Sequence, residues 1–226
     1  MSQEKTKVTF IQKLDNYWYH YKWHTLFGIF AFILAAVCIT QCASQTEPDA
    51  MVMYVGKIKN VLVPEKDSRD ATLEDIMKED YNGDGEKHVQ VFQLIIPIAE
   101  TNGEYSYTDA QAPTNLSERQ RMHTEIATGS SVVYLLHPFI YEEVKELGVL
   151  RPLSEVLGYT PEDATDEYGI AISELNASRM TNLHYYPEDS ILCIRYERTK
   201  EANAITPDDP EYYKANENFF RDLVEY

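Results

Sequence analysis

With 226 residues and 37 acidic against 20 basic side chains, a net charge of −17, the chain is too acidic to hold nucleic acid or an anionic lipid surface by charge. Three cysteines in this length exclude a disulfide scaffold. The length is enough to bury a hydrophobic core.

The first element in chain order is an apolar run, Leu26 to Ile39, inside an uncharged stretch from Trp23 to Ser44. About 20 residues of helix at 1.5 Å each cross a bilayer core, so residues 23–44 are expected to be a transmembrane helix. Tyr17, Trp18, Tyr19, Tyr21, Lys22 and Trp23 precede it as an aromatic and basic belt suited to the headgroup level. Lys5, Lys7, Lys13 and Lys22 lie before the span, and the next basic residue is Lys57. That asymmetry predicts a cytoplasmic segment over 1–22 and an extracellular domain over 45–226. A cleaved secretory signal has a similar plan, but its basic region would be unusually long here. Ile39-Thr-Gln-Cys42 resembles a lipoprotein signal except for Gln41, and we read the segment as an uncleaved signal anchor.

The residues after Ser44 hold 16 basic and 35 acidic side chains once four Lys, Glu4 and Asp15 are set aside, a net charge of −19. Roughly 180 residues suit one domain. Cys38 and Cys42 lie in or at the membrane, which leaves only Cys193 outside and no disulfide for the domain. Such cysteine poverty fits a bacterial cell surface. Asn115-Leu-Ser117 and Asn176-Ala-Ser178 match the glycosylation triplet, a pattern frequent by chance.

Residues 44–50 read as a linker, followed by a strand over Ala50–Val55 closed by Gly56. Thr72-Leu-Glu-Asp75 has the form of a capping box and predicts a helix with Leu73, Ile76 and Met77 inward. The Asp80–Gly85 turn then leads to a strand over Val89–Ile96. Glu100 to Thr114 is polar and rich in turn formers and is expected to be a loop. A second capping box, Ser117-Glu-Arg-Gln120, predicts a helix with Met122 and Ile126 inward and a stop at Gly129. Val132–Leu136 reads as a central strand. Pro138 is placed to open a helix with Ile140, Val144 and Leu147 on one face and Gly148 at its end. Two further strands are expected over Tyr168–Ile172 and Ser190–Tyr196. Asp209-Pro210 starts a last helix striped by Tyr212, Ala215, Phe219 and Leu223. Alternating strands and helices predict an α/β fold with a parallel sheet, one three-layer α/β domain behind a single membrane helix.

From Glu118 to Leu157, Arg-Met-His-Thr-Glu-Ile-Ala-Thr-Gly leads into a short apolar strand, then His-Pro-Phe and a helix ending Glu-Leu-Gly-Val-Leu-Arg-Pro-Leu. This stretch resembles extracellular solute-binding proteins of bacterial ABC importers. The matching residues are Ala127, Gly129, Tyr134, Leu135, Leu136, Gly148, Leu150, Pro152 and Leu153. Those proteins usually carry Asp at the strand start, where Ser131 or Val132 stands here. The resemblance implies one lobe of such a protein, and one lobe cannot clamp a solute by hinge closure.

Candidate sites are few. Asp80, Asn82 and Asp84, followed by Gly85, match the opening of an EF-hand loop, but Val91 stands where the bidentate Glu is needed. The same residues make a tight turn without a metal, so Ca2+ and a bare turn are both open. Ligands of open α/β sheets bind outside the carboxyl ends of the strands. Those ends bring Gly56, Pro97, His137 and Pro138 together, and turn and capping roles explain the same residues. His20 and His24 are spaced to share a metal but suit interfacial anchoring better. Gly129-Ser130-Ser131 precedes a strand, the reverse of a nucleophile elbow. No catalytic constellation, phosphate loop or zinc spacing is present in the sequence. The expected function is a non-enzymatic accessory or sensor that binds a transporter or envelope protein. A small-solute or Ca2+ receptor using a cleft formed by dimerisation is the alternative.

Overall fold

One continuous helix, α1 (Phe10–Ala43), carries the apolar run. Its stretch Tyr17–Thr40 is long and apolar enough to cross a membrane, and none of it is buried within the protein. Phe27 and Phe32 are 73% and 76% exposed. The two threonine hydroxyls in this stretch are satisfied along the helix. Thr25 Oγ1 donates to Tyr21 O (3.0 Å) and Thr40 Oγ1 to Ala36 O (3.0 Å). Tyr17 stacks on Tyr21 with ring centres 5.4 Å apart. This computed structural model describes residues 10–43, 47–57, 72–108, 112–199 and 206–226; the linker residues 44–46 lie outside them. The chain divides into two units, Met1–Thr46 and Glu47–Tyr226.

The second unit is built on a five-stranded sheet in the order β2-β1-β5-β7-β6. Its strands are β1 (Ala50–Gly56), β2 (Val89–Ile95), β5 (Val133–Leu136), β6 (Gly169–Ala171) and β7 (Ile191–Ile194). β1 pairs parallel with both β2 and β5, whereas β7 runs antiparallel to its neighbours β5 and β6. The sheet is therefore mixed, and the expectation of an all-parallel sheet is corrected. The connection from β6 to β7 contains only a five-residue helix, α6 (Asn176–Met180), and two short 3-10 turns. It carries no long helix to return the chain to the far end of the sheet, so β7 starts beside the end of β6, with Ala171 opposite Ile191.

Alternation along β1 sends Val52 and Tyr54 into one apolar cluster and Met53 and Val55 into another, on opposite faces of the sheet. Helix α7 (Pro210–Glu225), capped by Asp209, supplies Phe219, Phe220 and Leu223 to the first cluster. α3 (Pro113–Thr128) and α4 (Pro138–Glu146) supply Met122, Ile126, Ile140 and Val144 to the second. α7 also buries polar groups: Asn216 Oδ1 accepts the N–H of Met51 (2.8 Å), and Asp222 Oδ2 accepts that of Lys78 (2.9 Å). These tie the helix to the start of β1 and to the segment that precedes β2, and satisfy one backbone donor in each.

Four local expectations change. The segment expected as a loop from Glu100 holds a hairpin, β3 (Ile98–Thr101) and β4 (Glu104–Tyr107). Asn102 and Gly103 at its tip both have positive φ, 56° and 84°, the backbone that a two-residue hairpin turn demands. The helix after Thr72, α2 (Leu73–Ile76), is a single turn, with the Asp75 carboxylate accepting the N–H of Thr72 (2.7 Å). α3 begins at Pro113, which places Ser117 inside the helix rather than at its cap. Leu147, the C-cap of α4, is 47% exposed rather than inward. Of the residues quoted for the solute-binding resemblance, Gly129 caps α3, Tyr134–Leu136 are buried in β5, and Pro152 and Leu153 open the short α5 (Leu153–Leu157).

Candidate functional site

The carboxyl ends of β1, β2 and β5 meet as expected for parallel strands. Ile96 N–H donates to Gly56 O (3.1 Å) and His137 N–H to Val55 O (2.9 Å), which brings Gly56 and His137 side by side. A Cβ on Gly56 would lie 2.7 Å from Tyr54 Oη and 3.3 Å from His137 Cβ, so any larger residue forces the Tyr54 ring to shift. Pro97 is exposed and leads into the β3–β4 hairpin, its carbonyl accepting from Thr108 N–H (3.0 Å). Pro138 is the first residue of α4.

His137 is 2% exposed, and its Nδ1 accepts from Phe139 N–H (3.2 Å), which places the ring proton on Nε2. Its ring meets Tyr105 edge to face at 5.0 Å. Burial holds the imidazole below its ordinary value and neutral; Asp189 and Glu100 oppose that shift and Lys57 adds to it.

Tyrosines that the sequence did not single out complete the cluster. Tyr54 Oη donates to Lys57 O (2.6 Å), and its ring lies 4.8 Å from that of Tyr186. Gln93 Nε2 donates to Tyr186 Oη (3.1 Å). The Lys57 ammonium sits 5.2 Å over the Tyr105 ring. Burial pushes both the Tyr54 and Tyr186 phenols up, so both stay neutral. The strand ends are thus filled by the protein's own side chains. The available signals were the 17 tyrosines of the chain and the alternation Glu104-Tyr-Ser-Tyr107.

Tyr186 is also one wall of a cavity of about 340 Å3 lined by Ser173, Ser178, Arg179, His184 and Glu188. The sequence named Ser178 only within the Asn176-Ala-Ser178 triplet, and the five residues converge only when the β6–β7 connection folds. A cavity of this size, with one cation, one carboxylate and hydroxyls, suits a small polar molecule.

The acidic loop turns its oxygens onto its own backbone. Asp80 accepts from Gly83 N–H (2.8 Å) and Gly85 N–H (2.7 Å), Asn82 Oδ1 from Asp84 N–H (2.9 Å), and Asp84 Oδ1 from Glu86 N–H (2.9 Å). The Gly85 bond is the main force holding the Asp80 carboxyl below its usual value, against desolvation. The loop wraps Asp49, a fully buried residue whose carboxylate accepts from Tyr81, Asn82 and His88 N–H groups. Among the described residues no group of three or more His, Cys, Asp or Glu side chains converges in a form able to hold a metal.

Cys193 is buried in β7, and burial raises its thiol well above the ordinary value, which leaves it unreactive. Comparison with family models, curated proteins and solved structures gives no match for this chain.

Proposed function

We propose that this chain is a membrane-anchored extracellular module that works by binding rather than by catalysis, an accessory or sensor held beside a transporter or envelope protein. The carrying observation is the unburied apolar stretch Tyr17–Thr40 joined to a folded α/β unit. A core helix of a soluble protein would bury such a face. The filled strand ends, where His137 caps a helix and Tyr54 closes over Gly56, favour a structural use of those residues. The lysines before the span favour an outside domain, and its acidity favours neutral or basic protein surfaces as partners. A kinship to one lobe of solute-binding proteins rests on the motif residues from Ala127 to Leu153.

Crosslinking the full-length protein in its native membrane, followed by mass spectrometry, tests this. A single membrane or envelope protein in near-stoichiometric yield is expected; recovery of this chain with no other protein would overturn a stable complex.

The cavity beside Tyr186 favours a second reading, a receptor for a small polar solute. A screen of amino acids, short peptides, sugars and Ca2+ distinguishes the two, because a ligand of the native state raises the melting temperature by mass action.

A further inference from the structure

The connection from β6 to β7 brings two opposite charges to one cavity. Two backbone bonds prolong the pairing of these strands: Ile172 N–H donates to Ser190 O (2.9 Å) and Ser173 N–H to Glu188 O (3.2 Å). They fix Glu188 beside Ser173, and both line the cavity next to Tyr186. The other charge, Arg179, comes from the last turn of α6, where Thr181 N–H closes on Ala177 O (3.0 Å). Ser178 Oγ donates to Leu175 O (2.8 Å) and His184 Nδ1 to Thr181 O (2.6 Å), so the helix and the turn after it hold these lining groups in place.

Six of the seven arginines among the described residues form an ion pair with a carboxylate: Arg119, Arg121, Arg151, Arg195, Arg198 and Arg221. Arg179 is the exception, in a chain that carries 37 acidic side chains. The Glu188 carboxylate likewise has no cation or hydrogen-bond donor among the described residues. The two charges share a cavity without pairing with each other.

We propose that this cavity binds a free α-amino acid as its zwitterion, with the Arg179 fork holding the carboxylate and Glu188 the ammonium. The inference rests on the receptor reading above and narrows it to one class of ligand. A volume of about 340 Å3 suits a single small molecule. Glu188 and the net charge of −17 disfavour an anion, and Arg179 disfavours a cation. Ca2+ takes six to eight oxygen ligands, roughly, and the cavity offers one carboxylate beside an arginine. A neutral sugar would use neither charge. A ligand that carries both signs satisfies both side chains and enters the field of the acidic domain without net charge. Ser173 and Ser178 add hydroxyls for the remaining polar atoms.

The test melts the full chain in mild detergent against each of the common L-α-amino acids and measures the Kd of any binder by calorimetric titration. At least one is expected to raise Tm. Its amide lacks the carboxylate and its N-acetyl derivative lacks the ammonium, and each is expected to bind about ten- to a hundred-fold more weakly. Arg179→Gln should weaken the free amino acid by a similar factor and leave the amide nearly unchanged. Glu188→Gln should weaken the free amino acid likewise and leave the N-acetyl derivative nearly unchanged. Both side chains are exposed and unpaired, so both variants are expected to keep the wild-type circular dichroism. Arg121→Gln, outside the cavity, is expected to leave Kd unchanged. Amino-acid binding that both cavity substitutions leave intact would overturn this site and leave the receptor reading standing. A Tm shift with short peptides, sugars or Ca2+ but with no amino acid would overturn the zwitterion and also leave that reading standing. Melting that no probe changes would overturn both.

Discussion

Asp208→Asn should be among the most damaging single substitutions in the domain. The Asp208 side chain is 3% exposed and takes two hydrogen bonds from the Arg195 fork, at 2.6 and 2.8 Å. It also accepts from Arg198 N–H (2.8 Å), Nε (3.2 Å) and Nη2 (2.7 Å). Arg195 is 1% exposed and spends its Nε on Ser131 O (2.8 Å), so the amide would leave its charge buried and uncompensated. Breaking one side of a buried pair costs about 3–5 kcal/mol. For a domain of this size each kcal/mol lowers Tm by about 2–4 °C, so the expected fall is about 6–20 °C. Near-ultraviolet circular dichroism of the full chain in mild detergent reads it, with Glu118→Gln at the exposed pair with Arg121 as a near-neutral control. The substitution should also change the acid response. Burial raises the Asp208 carboxyl, but the hydrogen bonds from Arg195 and Arg198 outweigh it and hold the group below its ordinary value. Its stabilisation is therefore complete above the unfolded value of about 3.9 and is lost as pH falls through the lower folded value. Wild type and variant should converge only on strong acidification. A loss under about 1 kcal/mol at neutral pH would mean a solvated pair and would refute the reasoning.

Gly56→Ala forces a Cβ against Tyr54 Oη and should cost about 1–3 kcal/mol in denaturant titration. Tyr54→Phe removes the nearest of the clashing atoms, so the double variant should lose less than the sum, and strict additivity would contradict the packing described. His137→Asn keeps an N-cap acceptor and removes a titration. Because burial lowers the folded value of His137, wild-type stability should decline as pH falls below about 6.5, and that slope should flatten in the variant. Phe30→Arg places a charge near the middle of the apolar stretch at a cost of about 2.5–3.5 kcal/mol, and carbonate extraction should release a larger share of the protein. Undiminished retention would count against a spanning helix.

What the chain declares locally, it declares well. The apolar stretch before Thr40, the proline starts of α4 and α7, and the buried runs of β1, β5 and β7 follow from residue pattern alone. Asn102-Gly103 also carried its hairpin signal, obscured by the polar residues around it. Strand direction was not legible, because Ile191–Ile194 has the same side-chain pattern whichever way it runs, and the length of the β6–β7 connection decides. Ser117 misled because a capping box needs a free helix start, and Pro113 had already supplied one. At the candidate site, Gly56 and His137 were placed together correctly from the rule for strand ends. Tyr54, Lys57, Tyr105 and Tyr186 were not, since they gather from three distant segments and share no spacing.

The anchored, outward-facing arrangement is tested most directly by cysteine labelling in intact cells. Glu162 is exposed, Cys193 is buried, and Cys38 lies in the apolar stretch. Glu162→Cys, in a Cys38→Ser and Cys42→Ser background, is predicted to react with a membrane-impermeant maleimide before lysis and to stay with the membrane after carbonate washing. Labelling only after lysis, or release into the carbonate wash, would contradict the account.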